Sequence, residues 1–114
     1  MSTSTDIVEQ FAAAMSSGDF GPARSLMADD LHFIGPIDEF HRADDYLEAL
    51  QKLFSMVRGV ENQATVAQDP EVVRFFVLDT PVARAPVAEW YTVKDGKIAE
   101  LRAYFDARPF APPG

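Results

Sequence analysis

The side chains best suited to move protons in this chain are its two histidines and the carboxylates near them. His41 closes the run Ile37-Asp38-Glu39-Phe40-His41. An imidazole is the one side chain whose ordinary charge change falls near neutrality, and beside Asp38 or Glu39 it could serve as acid or base. His32 lies in a short apolar segment, 31–35, where the phase that turns Phe33 inward turns His32 outward. Residues 32 and 41 lack the helical spacing of a ligand pair and no third ligand is clustered with them, so no metal site is expected. Asp106 falls at the end of a strand with an outward phase. Arg74 shares the phase of Phe76 and, if buried, needs a carboxylate partner that spacing alone does not identify. The chain shows no Gly-rich phosphate loop and no serine nucleophile elbow, so no cofactor is expected.

These residues must be positioned by a single domain covering 1–114, with three N-terminal helices and a later run of strands. Ile7, Phe11 and Met15 recur at helical spacing, with Asp6 and Glu9 resembling a capping box and Gly18 suiting the far end. Pro22 suits the start of a short helix. Leu47, Leu50, Phe54 and Val57 mark a longer one, stopped by Gly59. Beyond it the period changes to two: Val60, Asn62, Ala64 and Val66 alternate with polar neighbours, 71–78 is rich in Val and Phe, and 85–94 and 97–106 flank Asp95-Gly96. Asp-Gly between such runs signals a tight hairpin. A two-residue turn there fixes the pairing, which sets Glu89 opposite Arg102, Trp90 opposite Leu101 and Ala88 opposite Ala103. One face would then carry Ala88, Trp90, Leu101, Ala103 and Phe105. The other would carry Glu89, Tyr91, Arg102 and Tyr104, so the first set is expected inside. The outer set, with its tyrosines and arginine, is a candidate homodimer surface.

Four stretches together resemble the nuclear transport factor 2-like superfamily in its SnoaL-like branch. They are Phe11-Ala12-Ala13-Ala14-Met15-Ser16-Ser17-Gly18-Asp19, Leu26-Met27-Ala28-Asp29-Asp30, the helix after His41-Arg42, and Asp95-Gly96-Lys97-Ile98 with Leu101-Arg102-Ala103-Tyr104-Phe105-Asp106. The resemblance implies an α+β cone: three helices against a strongly curved mixed sheet that encloses an apolar pocket, often in a dimer packed through the outer sheet face. Relatives include ketosteroid isomerases, limonene epoxide hydrolases, polyketide cyclases and non-enzymatic binding proteins, so fold leaves function open. The functional positions of the first family match Phe11, Gly35 and Ala88. Those of the second match Phe33, Gly35 and Ala103, with Phe76 and Leu78 near the rest; none is polar here. The pocket is therefore expected to be lined by Phe11, Phe33, Phe76, Trp90, Leu101, Ala103 and Phe105, with Gly35, Leu78 and Ala88 beside them. It would hold a small hydrophobic molecule. The resemblance puts His41, Asp38 and Glu39 at the pocket rim, as the candidate acid/base of an isomerase, cyclase or hydrolase. The reading is thus a protein with a pocket for such a molecule and its reaction unassigned; that cofactor-free enzyme and a dimeric interaction module without ligand are the alternatives.

Charge restricts partners further. Ten Lys and Arg against 18 Asp and Glu leave a net charge of −8, opposite to what phosphate backbones or anionic membrane surfaces attract. The polar start Met1-Ser2-Thr3-Ser4-Thr5-Asp6 reads as neither signal nor transit peptide, and no apolar run approaches the ~20 residues of a membrane helix. With no cysteine in the chain, a cytoplasmic setting is expected.

Overall fold

The computed structural model describes residues 3–110. Helices α1 (Ser4–Ser17), α2 (Phe20–Ser25) and α3 (Ala43–Phe54) lie against a six-stranded sheet of β1 (Met27–Ile34), β2 (Glu39–Phe40), β3 (Gly59–Gln68), β4 (Glu71–Asp79), β5 (Arg84–Lys94) and β6 (Lys97–Phe105). The strand order is β2-β1-β6-β5-β4-β3. Only β1 and β6 run parallel; every other neighbouring pair is antiparallel. This is the expected α+β arrangement of helices on one face of a mixed, curved sheet. Among the described residues no helix is long and apolar enough to cross a membrane.

Helix α1 starts earlier than expected. Its capping box is formed by Thr3 with Asp6, not by Asp6 with Glu9: the Thr3 hydroxyl accepts from the Asp6 amide at 3.1 Å and the Thr3 amide donates back to the Asp6 carboxylate at 3.2 Å. Gly18, at φ 76°, closes it. The apolar stripe Ile7, Val8, Phe11 and Met15 packs with Met27, Leu31, Ile98, Leu101 and Tyr91 in the main core. Burying each such side chain contributes about 1.5–3 kcal/mol. A second cluster of Phe76, Leu78, Ala85 and Val87 lies under Leu53, Val60, Phe105 and Phe110.

Two extra residues decide which way the strands face. At the β5–β6 turn, Asp95 and Gly96 both have positive φ, as a tight hairpin requires, and Val93 opposes Ile98. The next pair, however, is Thr92 with Glu100, leaving Ala99 bulged out. From there the register runs Tyr91–Leu101, Trp90–Arg102, Glu89–Ala103 and Ala88–Tyr104. The expected pairs are thus corrected by one residue, and every β5 side chain before the bulge changes face. Glu89 and Tyr91 join Leu101, Ala103 and Phe105 inside, while Ala88 and Trp90 join Arg102 and Tyr104 outside. A second bulge at Gln63 splits the series in β3. Val60 and Asn62 pair with Leu78 and Phe76 on the inner face, whereas Ala64 and Val66 oppose Phe75 and Val73 on the outer one.

Candidate functional site

The concave side of the sheet, α1 and α3 enclose a cavity of about 320 Å³, within the range of small-molecule sites. Phe11 and Met15 reach it from α1, Tyr46 and Leu50 from α3, and Phe33 from β1. Gly35 and Asp38 sit at its rim, where the Gly35 amide donates to the Asp38 carbonyl at 2.9 Å. A Cβ on Gly35 would lie 2.9 Å from the tip of the Phe33 ring, so only glycine lets that ring fold over the rim without displacement. Phe76 and Leu78 of β4, with Ala103 and Phe105 of β6, complete the apolar wall.

Charged side chains among the lining residues are confined to Asp38, Arg74 and Glu89. Arg74 and Glu89 are direct cross-strand neighbours on β4 and β5, and Tyr91 bridges them. Arg74 Nη1 donates to the Tyr91 hydroxyl at 3.3 Å, and that hydroxyl donates to Glu89 Oε1. Arg74 Nη2 donates to Asn62 Oδ1, which the bulge at Gln63 holds on the inner face. The guanidinium also lies over the Phe76 ring, 4.8 Å from its centre. Burial pushes the Glu89 carboxyl above its ordinary range, opposed by the Tyr91 hydrogen bond and the Arg74 charge. The hydroxyls of Tyr46 and Tyr91 are pushed well above theirs, by burial first and then by the Glu89 carboxylate. Both hydroxyls therefore stay protonated at neutral pH, and that of Tyr91 is the one that donates to Glu89. A carboxyl held this way exchanges its proton closer to neutrality than a solvated one, which suits an acid/base.

The residues expected at the site divide by face. Phe11, Phe33, Gly35, Phe76, Leu78, Ala103, Phe105 and the rim residue Asp38 line the cavity. Leu101 is fully buried in the core behind it. Ala88 and Trp90 are corrections, carried to the opposite face by the Ala99 bulge. Trp90 is 36% exposed, donates from Nε1 to Glu71 at 2.6 Å and lies 4.2 Å beneath the Arg102 guanidinium. The expected Glu89–Arg102 pair is replaced by Arg102 with Glu100. Glu39 and His41 are also outside the lining. Their side of β2 is the one opposite Phe40, which does reach the cavity. Asp106, exposed, grips Arg108 at 2.6 Å and is held down to about 2 by that contact.

Spacing alone does not assign the partner of Arg74, because a register set by the turn alone puts Glu89 outside. A signal was present: Ile98 and the trio Leu101, Ala103 and Phe105 have opposite parity, which one extra residue between them explains. On β5, Ala85, Val87, Tyr91 and Val93 share the parity of Glu89, an apolar series with one carboxylate in it.

The family model described as SnoaL-like domain matches residues 8–101. No curated protein shows significant sequence similarity. Among solved structures, an NTF2-like protein of unknown function from Cytophaga hutchinsonii superposes with a TM-score of 0.86 at 20% identity, covering 96% of each chain. An LEH-like epoxide hydrolase from M. tuberculosis gives 0.74 at 24% identity, over 91% of this chain and 83% of that one. A protein from Shewanella denitrificans assigned as a SnoaL-like polyketide cyclase gives 0.78 at 12% identity, over 94% and 93%. At these identities the superpositions establish the NTF2-like fold.

Proposed function

Since this chain belongs to the SnoaL-like domain family, whose fold accommodates both enzymes and binding proteins, we propose that it binds a small, largely apolar organic molecule and moves a proton at it with Glu89, without a cofactor. The observation that carries this reading is the Glu89 carboxyl, raised in pKa by burial, standing among mostly apolar lining residues and tied through Tyr91 to Arg74. The phenyl walls provide affinity by excluding water from the apolar ligand. Glu89 takes a proton from an acidic carbon, or from a water attacking the ligand, and returns it later in the cycle. Arg74 holds the carboxylate form against the cost of burial, and Tyr91 orients it. The acid/base role expected at the rim thus passes to the interior, with Asp38 the one rim carboxylate that reaches the lining. An epoxide hydrolase and an assigned polyketide cyclase among the structural neighbours agree with proton-transfer chemistry in such a cavity.

The test uses two probes: styrene oxide, scored for hydrolysis, and 2-tetralone, scored for deuterium uptake beside its carbonyl. The native chain accelerates at least one of them, and Glu89→Gln lowers that rate by about 10²–10⁴ while thermal-shift binding of 2-tetralone persists. Binding without acceleration by the native chain would replace this reading with a pure binding protein.

A homodimer through the outer sheet face belongs to the same proposal, with its residues revised. Tyr104 (54% exposed), Phe75, Trp90 and Arg102 make that face, and the Arg102 Nη1 atom is buried with no hydrogen-bond partner among the described residues. Light scattering should report twice the chain mass at micromolar concentration, and Trp90→Asp should return it to one. With a net charge of −8, we propose neither nucleic acid nor an anionic membrane as partner, and a cytoplasmic setting.

A further inference from the structure

The β1–β2 hairpin has two faces with different chemistry. One carries Phe33 and Phe40, which pack on Tyr46 at ring separations of 4.4 and 6.2 Å and line the cavity. The other gathers three side chains that can each donate an electron pair. Ile34 opposes Glu39 in the ladder, so His32, two residues before Ile34, projects on the same side as Glu39. His41, two residues after Glu39, does likewise. The imidazoles of His32 and His41 stack with centres 4.7 Å apart and planes 15° from parallel. His32 Nε2 lies 2.6 Å from Glu39 Oε2, His41 Nε2 lies 3.7 Å from the same oxygen, and one donor atom from each of the three residues falls within 4.8 Å of the others.

We propose that His32, Glu39 and His41 form a binding site for a divalent transition ion of the zinc class. The helical spacing whose absence argued against such a site is not needed here, because two antiparallel strands bring the donors together from both sides. Two imidazoles and a carboxylate are a donor set that zinc accepts in open tetrahedral sites, with water as the fourth ligand. Tetrahedral bonds of about 2.0–2.1 Å put neighbouring donors roughly 3.3 Å apart. To meet that geometry the 2.6 Å contact opens, the 3.7 Å one closes, and the stacked imidazoles turn so that their in-plane lone pairs converge on one ion. The side chains are free to adjust, being 34%, 52% and 74% exposed for His32, Glu39 and His41. Magnesium and calcium prefer all-oxygen shells and do not suit the two nitrogens. An ion held here ties β1 to the segment after β2, and so fastens the flap whose opposite face supplies Phe33 and Phe40 to the cavity. The site makes no use of Glu89 and stands whether or not the cavity is catalytic.

The experiment is calorimetric titration of zinc chloride into chelator-treated protein at neutral pH, with nitrogen-edited NMR of the histidine side chains. The expected result is one ion per chain, accompanied by shifts of the His32 and His41 ring nitrogens. Affinity should fall at least tenfold in each of His32→Ala, His41→Ala and Glu39→Gln, and magnesium should give no such response. No saturation by about 1 mM zinc, or zinc binding undiminished in the His32→Ala/His41→Ala double variant, would overturn the proposal. So would ring-nitrogen resonances that do not move while zinc binds elsewhere on the acidic surface.

Discussion

Glu89 and Glu39 are both strand glutamates hydrogen-bonded to a ring-bearing side chain, yet the fold drives them in opposite directions. Glu89 stands in the cavity wall, where burial raises its pKa against the pull of Tyr91 and Arg74. Glu39 stands in solvent, where the hydrogen bond from His32, ahead of the charge of His41, lowers its pKa. The difference comes from what surrounds each carboxylate. A carboxylate removed from water is penalised in its charged form, and only a full set of partners offsets that. One left in water keeps its hydration and gains whatever its neighbours add. The interior glutamate therefore holds its proton to higher pH than an ordinary carboxyl, and the exterior one keeps its negative charge to lower pH.

Deleting Ala99 is the most severe way to break this contrast. Without the extra residue the pairing slips by one, sending Glu89 and Tyr91 outward and Trp90 inward, or else splitting β5 from β6. Cooperative denaturant unfolding followed by circular dichroism should be lost, a cost comparable to the whole stability of a small domain, ~5 kcal/mol or more. A deletion variant that unfolds like the native chain would show that the bulge does not set the faces.

The next effect is a pair of opposite pH slopes. For Glu89, the folded pKa lies above the ordinary value of 4.5, so the folded state holds its proton longer than the unfolded one. Its contribution to stability is full below that value and is lost as pH rises through the folded pKa. Melting midpoints of Glu89→Gln should lack this decline and lie above the native chain's at neutral pH. Glu39 has the reverse sign: its contribution is full above 4.5 and is lost as pH falls through the lowered folded value.

Tyr91→Phe should cost about 1 kcal/mol in chemical denaturation for the lost hydroxyl bonds. It should also push the Glu89 carboxyl higher still, since the hydrogen bond that held it down is gone; carboxyl-carbon NMR titration reads that shift. The smallest effect is that of Glu39→Gln on the metal-free protein. It should lower the melting midpoint slightly at neutral pH, and the difference from the native chain should vanish on the acid side, where the native carboxylate is itself protonated.

The order of elements was legible because it rests on local physics. Helical recurrence in Ile7, Phe11 and Met15, the positive-φ pair Asp95-Gly96, and alternation in the later segments each act over a few residues. Boundaries were less legible: Thr3 rather than Asp6 caps α1, and two-residue β2 is too short to leave a periodic trace. The cavity's phenylalanines were found because apolar side chains on an inner phase have one place to go. Glu89 was missed because a tight turn fixes pairing only as far as the first bulge. Arg74 was seen as a candidate for burial, and its bridge through Tyr91 depended on that same missed register. The gathering of His32, Glu39 and His41 escaped notice for a related reason: strand pairing, unlike a helix, joins residues that no fixed spacing announces.

The sequence by itself determined an acidic α+β chain, its helices and strands, the hairpin turn and most of the apolar cavity wall, because propensity, periodicity and turn chemistry are written in neighbouring residues. Only the tertiary structure decided which polar groups that wall contains and which stay in water. For Glu89 and Tyr91 that choice follows from Ala99 displaced from the ladder, and for Asn62 from Gln63, since a one-residue slip in a strand exchanges its two faces.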